Sequence, residues 1–275
     1  MLQEKFGAVV LAAGFGQINT GQPKVLESFN HKSLVQYPLD ELAALQLPTV
    51  VVVNSRGVFG HKIVCALQPE YPGLQFVWQD GRRGPADAFH QALPVLRNQG
   101  CTDAVCVFGD MPFVSRFHVR DLLLRHQENE AKLSISTWKC DPAHPLIHRM
   151  WGYAHTCVDR TSEDGSNNGF PIIRKYRDYP EAGAEVLSSV YVINLDWFKQ
   201  MFPQIPKEDK GDGYPPERHL PSLVELAGIY RPRVVNMRLT DDDVPEILGV
   251  NTSGDWDELV QFANAHPHVY NGRRP

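Results

Sequence analysis

Residues 7–26, Gly7-Ala-Val-Val-Leu-Ala-Ala-Gly-Phe-Gly-Gln-Ile-Asn-Thr-Gly-Gln-Pro-Lys-Val-Leu26, decide the reading of this chain. Ala8 to Leu11 is a short apolar run with no polar alternation, the pattern of a strand covered on both faces and hence of a parallel sheet. The small residues that follow lie at that strand's C-terminal end. Ala12, Ala13, Gly14 and Gly16 carry little or no side chain, so their backbone N–H groups can approach an anion and a flat ring can lie against the chain. Lys24, on a turn braced by Pro23, adds a point charge for phosphate oxygens. Taken alone, the segment reads equally as a glycine-rich turn with a solvated lysine.

Working outward, further strands are expected at Thr49–Val53, Leu74–Trp78, Ala104–Phe108, Leu133–Thr137, Val186–Asn194 and Val234–Arg238, most of them rich in Val and Ile. Helical patterns lie between the early ones. Leu34, Leu39, Leu42 and Leu45 share a face, as do Ala88, Ala92 and Leu96, and Phe117 to His126 follows Ser115 as a cap. This alternation implies an α/β fold with a doubly wound, mostly parallel, Rossmann-like sheet. Two polar stretches, 162–169 and 203–221, read as loops of the kind that act as lids or bind an acceptor. Ser222 and Glu225 read as a capping box opening a helix at Leu223–Ala227, and Asn251-Thr-Ser253 leads into a last helix through Trp256, Leu259 and Phe262.

Composition narrows the function. With 275 residues and 43% hydrophobic content the chain buries a full core, and a net charge of −5 argues against nucleic acid as a bulk partner. The five cysteines are an odd number without a C-x-x-C pair, which indicates neither a disulfide framework nor a zinc ribbon and fits a reducing cytoplasm. Cys140, His144 and His148 have metal-like spacing, but Pro142 and Pro145 favour a loop over a cage. Glu4 and the early glycines argue against a signal peptide, and no apolar stretch is long enough to span a bilayer. No internal repeat is present, so a hexapeptide β-helix is not expected here.

Asp110 follows the strand ending at Phe108, which puts its carboxylate on the same rim as the Gly14 loop, a position that suits Mg²⁺. The competing reading is an aspartate that starts the turn before Pro112. Asn251 reads alone as a helix cap. The eleven histidines form no arrangement with a serine or cysteine that sequence can certify as a nucleophilic set.

Five separated segments resemble the nucleotidyltransferases of the sugar-1-phosphate pyrophosphorylase family, most closely the N-acetylglucosamine-1-phosphate uridylyltransferase domain. They are Leu11–Gly16 with Pro23-Lys-Val-Leu26; Leu34–Leu42; Gln79 with Gly84-Pro-Ala-Asp-Ala88; Phe108-Gly-Asp-Met-Pro112; and Gly249-Val-Asn251. The resemblance implies a Mg²⁺-dependent transfer from a nucleoside triphosphate, UTP or CTP, to a sugar 1-phosphate or related phosphate, with release of pyrophosphate. It implies nucleotide contacts at Leu11, Ala12, Ala13, Gly14, Gly16, Lys24, Gln79, Gly84 and Gly109, with Gln79 reading the base. Lys24 and Asp110 become the catalytic pair, Asp110 and Asn251 the metal ligands. It further implies one domain over 1–275, with a nucleotide part to about 130, an acceptor part over about 131–250, and a C-terminal helix over 251–265.

The chain also departs from that pattern. Where relatives continue Gly-x-Gly-x-Arg, it has Ile18, which cannot neutralise a phosphate; Lys24 alone, or Arg82 and Arg83, would have to compensate. Pro85 stands where a hydroxyl is expected. On the acceptor side, Ile172-Ile-Arg-Lys-Tyr-Arg-Asp178 brings three cations, and Glu185-Val-Leu-Ser-Ser189 lacks an amide that would bind the sugar. Arg174, Lys175 and Glu185 are therefore the expected acceptor contacts, and a more anionic acceptor is one reading of them. Two alternatives follow. One is a nucleotide- or sugar-nucleotide-binding protein that has lost catalysis, motivated by Ile18, Pro85 and Leu187. The other is a molybdopterin nucleotidyltransferase, which Gly109-Asp-Met-Pro112 and Val250-Asn-Thr252 also resemble. The expected partners are small molecules, with neither nucleic acid nor membrane, and the oligomeric state is left open.

Overall fold

A computed structural model describes residues 6–14, 16, 21–139, 141, 143–146, 157–159, 172–174, 185–209, 211, 213 and 215–266, with the backbone alone at 157–159 and 172–174. Eleven strands and seven α-helices are seen among these residues. In chain order they are β1 (Phe6–Ala12), β2 (Ser28–Phe29), β3 (Lys32–Ser33), α1 (Gln36–Ala44), β4 (Thr49–Asn54), α2 (Phe59–Leu67), β5 (Gln75–Gln79), α3 (Pro85–Asn98), β6 (Asp103–Phe108), α4 (Arg116–Glu128) and β7 (Leu133–Lys139). There follow β8 (Cys157–Asp159), β9 (Ile172–Arg174), β10 (Glu185–Asn194), α5 (Leu195–Met201), α6 (Ser222–Tyr230), β11 (Val234–Leu239) and α7 (Ser253–Ala265).

The main sheet has the order β11-β7-β10-β6-β1-β4-β5, with β8 and β9 added beside β10. On that path β10 alone runs antiparallel to its neighbours, and the other strands are mutually parallel. Every residue of β1 and β4 is buried, which is why both read as unbroken apolar runs. Their alternate side chains feed two layers. Val9, Leu11, Val50 and Val52 face α3, α5 and α6, packing with Phe89, Phe198 and Leu223. Val10, Ala12, Val51 and Val53 face α1, α2 and α4, packing with Leu39, Ile63 and Leu122. A third cluster seats Trp256 and Leu259 of α7 against Trp138 and Leu34.

Register fixes the site. Leu11 pairs with Phe108, Ala12 with Val53, and Asn54 with Gln79, so β1, β4, β5 and β6 end on one rim. The seven long strands read from sequence are found with ends shifted by at most two residues. Ser115 caps α4 as expected, its hydroxyl accepting from the His118 N–H at 3.2 Å. Two helices were not foreseen, α2 and α5. Gly60 in the first turn of α2 lets that turn sit against β4, since a Cβ there would lie 2.0 Å from the Asn54 carbonyl oxygen.

The expected Ser222–Glu225 capping box is not formed. Pro221 occupies the cap, and Ser222 is already the first helical residue with no side-chain cap bond. Described residues of the 203–221 stretch also carry regular structure. Phe202–Gln204 is a 3₁₀ turn, and Glu208 and Glu217 pair as an antiparallel bridge.

Phe89, fully buried, meets Phe198 edge to face with centroids 4.7 Å apart across the α3–α5 contact. Phe89→Ala is expected to cost about 3–5 kcal/mol, read as a lowered urea midpoint at unchanged slope.

Candidate functional site

The ends of β1, β4, β5 and β6 open into a crevice. Its floor is Leu11, Ala12, Ala13, Gly14 and Gly16 from the first strand and loop; its sides are Lys24 with Val25, Phe108 with Asp110, and Gln79, Gly84, Pro85 and Ala88. Glu217, from the 203–221 stretch, closes the remaining side, facing Arg82.

Three separate segments converge on the Lys24 ammonium. It forms a salt bridge with the Asp110 carboxylate and donates to the Asn251 amide oxygen at 2.9 Å. Asp110 and Lys24 are each about one-fifth exposed, so the pair lies at the crevice edge with access to solvent. Backbone contacts hold the three segments in place. The Lys24 N–H donates to the Gly16 carbonyl at 2.7 Å, the Gly109 N–H to the Leu11 carbonyl at 3.0 Å, and the Val250 N–H to the Asp110 carbonyl at 2.8 Å. Gly109 fits this approach because a side chain there would press on the Leu11 carbonyl, Val25 and Val35, each 3.3 Å from the added carbon. Asn251 stands just before α7, whose cap is a reciprocal bond set between Thr252 and Asp255.

A second polar centre sits at the end of β5. Gln79, nearly fully buried, donates its amide hydrogens to the Gly84 carbonyl at 3.0 Å and to Asp87 Oδ1 at 3.1 Å. Because both partners are acceptors, the amide orientation is fixed, and Oε1 is the atom Gln79 offers to a further partner. Gly84 has φ 87°, and a Cβ there would lie 2.3 Å from the Arg218 carbonyl. That close approach docks the 203–221 segment: the Ala86 N–H donates to the Arg218 carbonyl at 3.0 Å and the Arg218 N–H to the Arg83 carbonyl at 2.9 Å.

Of the two loop arginines, Arg82 lines the crevice, with Nε 2.5 Å from Glu217 Oε1, whereas Arg83 turns away to Asp80. Glu217 itself has no sequence signal, since it reaches the site by a tertiary fold-back from a loop 133 positions beyond Gly84. Asn54 was also missed. Buried at the end of the valine run, it donates to the carbonyls of Ala13 and Gly81, tying the two loops on either side of the crevice. A polar residue closing an all-valine strand was its one visible signal.

Other expected residues fall elsewhere. Glu185 is buried in the sheet, where its carboxylate accepts from Thr137 and Asn236 and pairs with Arg238 at 2.8 Å; it does not line the crevice. Arg174 is seen as backbone only, in β9, paired with Cys157. Ile18, Lys175, Cys140 and His148 lie outside the described residues. His144 is buried with Nε2 against the Asp241 carbonyl, and burial lowers its pKa. Cys106 is a core residue whose thiol is pushed far up by burial, which suits packing and not nucleophilic attack. Among the described residues no group of three or more His, Cys, Asp or Glu could hold a metal by itself, and no helix is long and apolar enough to cross a membrane.

A parallel rim, a small-residue loop and a lysine–carboxylate pair define a nucleotide-handling α/β protein. Comparison with known proteins makes this specific: residues 8–176 match the MobA-like NTP transferase domain, and the chain belongs to that family. It is 32% identical over 96% of its length to the bifunctional protein GlmU of Brevibacillus brevis, covering 52% of that protein. With the GlmU of Koribacter versatilis it shares 28% identity over 91% of its length, covering 50% of that protein. The chain thus spans about half the length of these curated relatives. A structure from Bacillus anthracis, assigned as a glucose-1-phosphate thymidylyltransferase and solved with sucrose, superposes with a TM-score of 0.63 at 12% identity. The match covers 94% of this chain and 95% of that one, and it shows the shared fold.

The Gly84 contact gives a direct test of the docked segment. Gly84→Ala meets both a positive φ and the Arg218 backbone, whereas Gly100→Ala meets a positive φ of 80° in open space. Urea unfolding is expected to show Gly84→Ala as the more destabilising by at least about 1 kcal/mol, the scale of an added steric clash. Equal losses would mean that the 203–221 segment does not press on Gly84.

Proposed function

We propose that this chain is a Mg²⁺-dependent nucleotidyltransferase that joins a pyrimidine nucleoside triphosphate to a sugar 1-phosphate and releases pyrophosphate. The observation that carries this reading is the meeting of Lys24, Asp110 and Asn251 on the rim where the Ala13–Gly14 loop ends.

The donor set fits magnesium. Asp110 and Asn251 present hard oxygens that already share one cation, the Lys24 ammonium, and Mg²⁺ is commonly held by one or two protein oxygens together with substrate phosphates. When bound, Mg²⁺ would neutralise polyphosphate charge as a Lewis acid. The chain's own residues do the remaining work. Amide groups of the small-residue loop bind phosphate oxygens, and Lys24 adds charge beside them. In the reaction an oxygen of the acceptor phosphate forms a bond to the α-phosphorus while the bond from that phosphorus to the bridging oxygen breaks, and pyrophosphate leaves with the electron pair. Two anions must meet, so positioning and charge neutralisation are the catalytic contributions, and no protein nucleophile is required.

Two finer assignments follow. Arg82, held at the crevice wall by Glu217, is the cation proposed to stand in for the arginine absent at Ile18. Gln79, left with its carbonyl oxygen to offer, suits the N3–H of uracil or the N4 amino group of cytosine, so a pyrimidine triphosphate, UTP or CTP, is the proposed donor. The acceptor is assigned to the half beyond about residue 131, and the match to GlmU over most of the chain favours a sugar phosphate over a molybdopterin acceptor.

Pyrophosphate release measured with each of the four triphosphates, Mg²⁺ and a panel of sugar 1-phosphates tests the reading. Turnover is expected with UTP or CTP and to require the metal. Nucleotide binding without pyrophosphate release for any acceptor would instead mark a binding module. Arg82→Ala should lower turnover by about 10²–10³ with the fold retained, the usual cost of one transition-state charge donor. Asp110→Ala should abolish metal-dependent turnover, and unchanged activity would remove Asp110 from the mechanism.

A further inference from the structure

Outside the crevice lining, a buried polar cluster that includes the α4 cap Ser115 joins α4, β7 and the 3₁₀ turn Asp241–Ile247. Glu246, with a side chain 1% exposed, directs one carboxylate oxygen at three groups. The Ser115 hydroxyl donates to Oε2 at 2.9 Å, the Ser115 N–H at 3.3 Å, and His118 Nδ1 lies 3.1 Å away. A carboxylate accepts only, so Nδ1 carries the proton, and His118 Nε2 is left to pair with the Ser136 hydroxyl at 2.7 Å. Polar groups this deep are retained only when their hydrogen bonds are complete, because removing a partner leaves the full desolvation penalty.

Its place in the chain gives the cluster a purpose. Ser115 stands five residues after Asp110, and Glu246 five residues before Asn251. The two arms are joined at their far ends by Glu246 and Ser115, and at their near ends by the Val250 N–H on the Asp110 carbonyl at 2.8 Å. The result is a closed frame with the two oxygen donors at its open corner, both within reach of the Lys24 ammonium. We infer that Glu246, through Ser115 and His118, is a positioning residue that sets the separation of Asp110 and Asn251 and so tunes the site for a small divalent cation. This rests on the metal reading proposed above. Mg²⁺ and Mn²⁺ demand short, well-directed oxygen ligands, so a loosened frame weakens metal affinity before it weakens the fold.

The test uses the whole chain and Mn²⁺ alone, followed by the EPR signal of the unbound ion, beside thermal unfolding. Ser115→Ala and Glu246→Ala are expected to weaken Mn²⁺ binding about 10–100-fold, the usual effect of removing a support behind a ligand. Ser134→Ala is the control: it cuts a like buried pair, His126 Nδ1 with the Ser134 hydroxyl at 2.7 Å, which touches neither arm. It should lower the unfolding midpoint comparably while leaving Mn²⁺ affinity at the wild-type value. Ser115→Ala removes a single oxygen, so it reports even if Glu246→Ala fails to fold. Mn²⁺ affinity unchanged in Ser115→Ala, or equally reduced in Ser134→Ala, overturns the inference. Loss of binding in Asp110→Ala beside those results keeps the metal site itself, whereas a wild-type chain that binds no Mn²⁺ overturns the inference that the frame sets these two oxygens for the ion.

Discussion

The Lys24 ammonium lies between a carboxylate and an amide oxygen that come from chain positions 86 and 227 residues away. A carboxylate and an amide oxygen crowded at a strand rim would repel one another, and a cation between them removes that cost. The rest of the architecture serves to make this meeting possible. Parallel pairing of β1 with β6 brings Gly109 under the Leu11 carbonyl, and the short bond from Val250 to the Asp110 carbonyl fixes the late segment against the early one. Apolar burial in the two layers supplies the rigidity, while a small number of buried polar side chains set the positions of the loops.

Those polar side chains divide the labour. Asn54 ties the glycine loop to the Gly81 loop, Gln79 ties the end of β5 to the start of α3, and Glu246 ties the two arms that carry Asp110 and Asn251. Each is buried, Asn54 and Gln79 donating to acceptors of other segments and Glu246 accepting from Ser115, which limits motion more than an apolar residue of equal size would. The Arg82–Glu217 pair does the same on the open side, where residues 203–221 fold back over Gly84. The crevice is therefore closed on one flank by a segment whose described residues belong to no strand of the main sheet.

Much of this was legible in the sequence because it follows from local periodicity. The unbroken Val and Ala runs of β1 and β4 announce strands buried on both faces, and Ser115 before Phe117 announces a helix start that the structure contains. Asp110 and Gly14 fall on one rim because parallel strands share a direction, a consequence of topology that no side-chain detail can alter. What was not legible depends on tertiary contact. The α2 helix opens with Phe59 and Gly60 and continues through Ile63 and Val64, a composition that suits a strand equally well until the approach of Asn54 is known. The Ser222 box failed because Pro221 already takes the cap position. Glu217 and Glu185 differ in the same way. One polar loop residue reaches the crevice, while a glutamate expected near the acceptor is taken up by Thr137, Asn236 and Arg238 inside the sheet.

The central claim is that Asp110 and Asn251 together receive a divalent cation in the crevice that also receives the triphosphate, with Lys24 handing over its place between them. A crystal structure of the chain grown with UTP and Mn²⁺, with the metal located by its anomalous signal, tests this most directly. The account predicts one manganese within ligand distance of Asp110 and Asn251, phosphate oxygens against the Ala13–Gly16 loop, and the Lys24 ammonium shifted onto a phosphate. Manganese bound away from both oxygens, or a nucleotide seated outside the crevice with the Lys24–Asp110 pair intact, would contradict it.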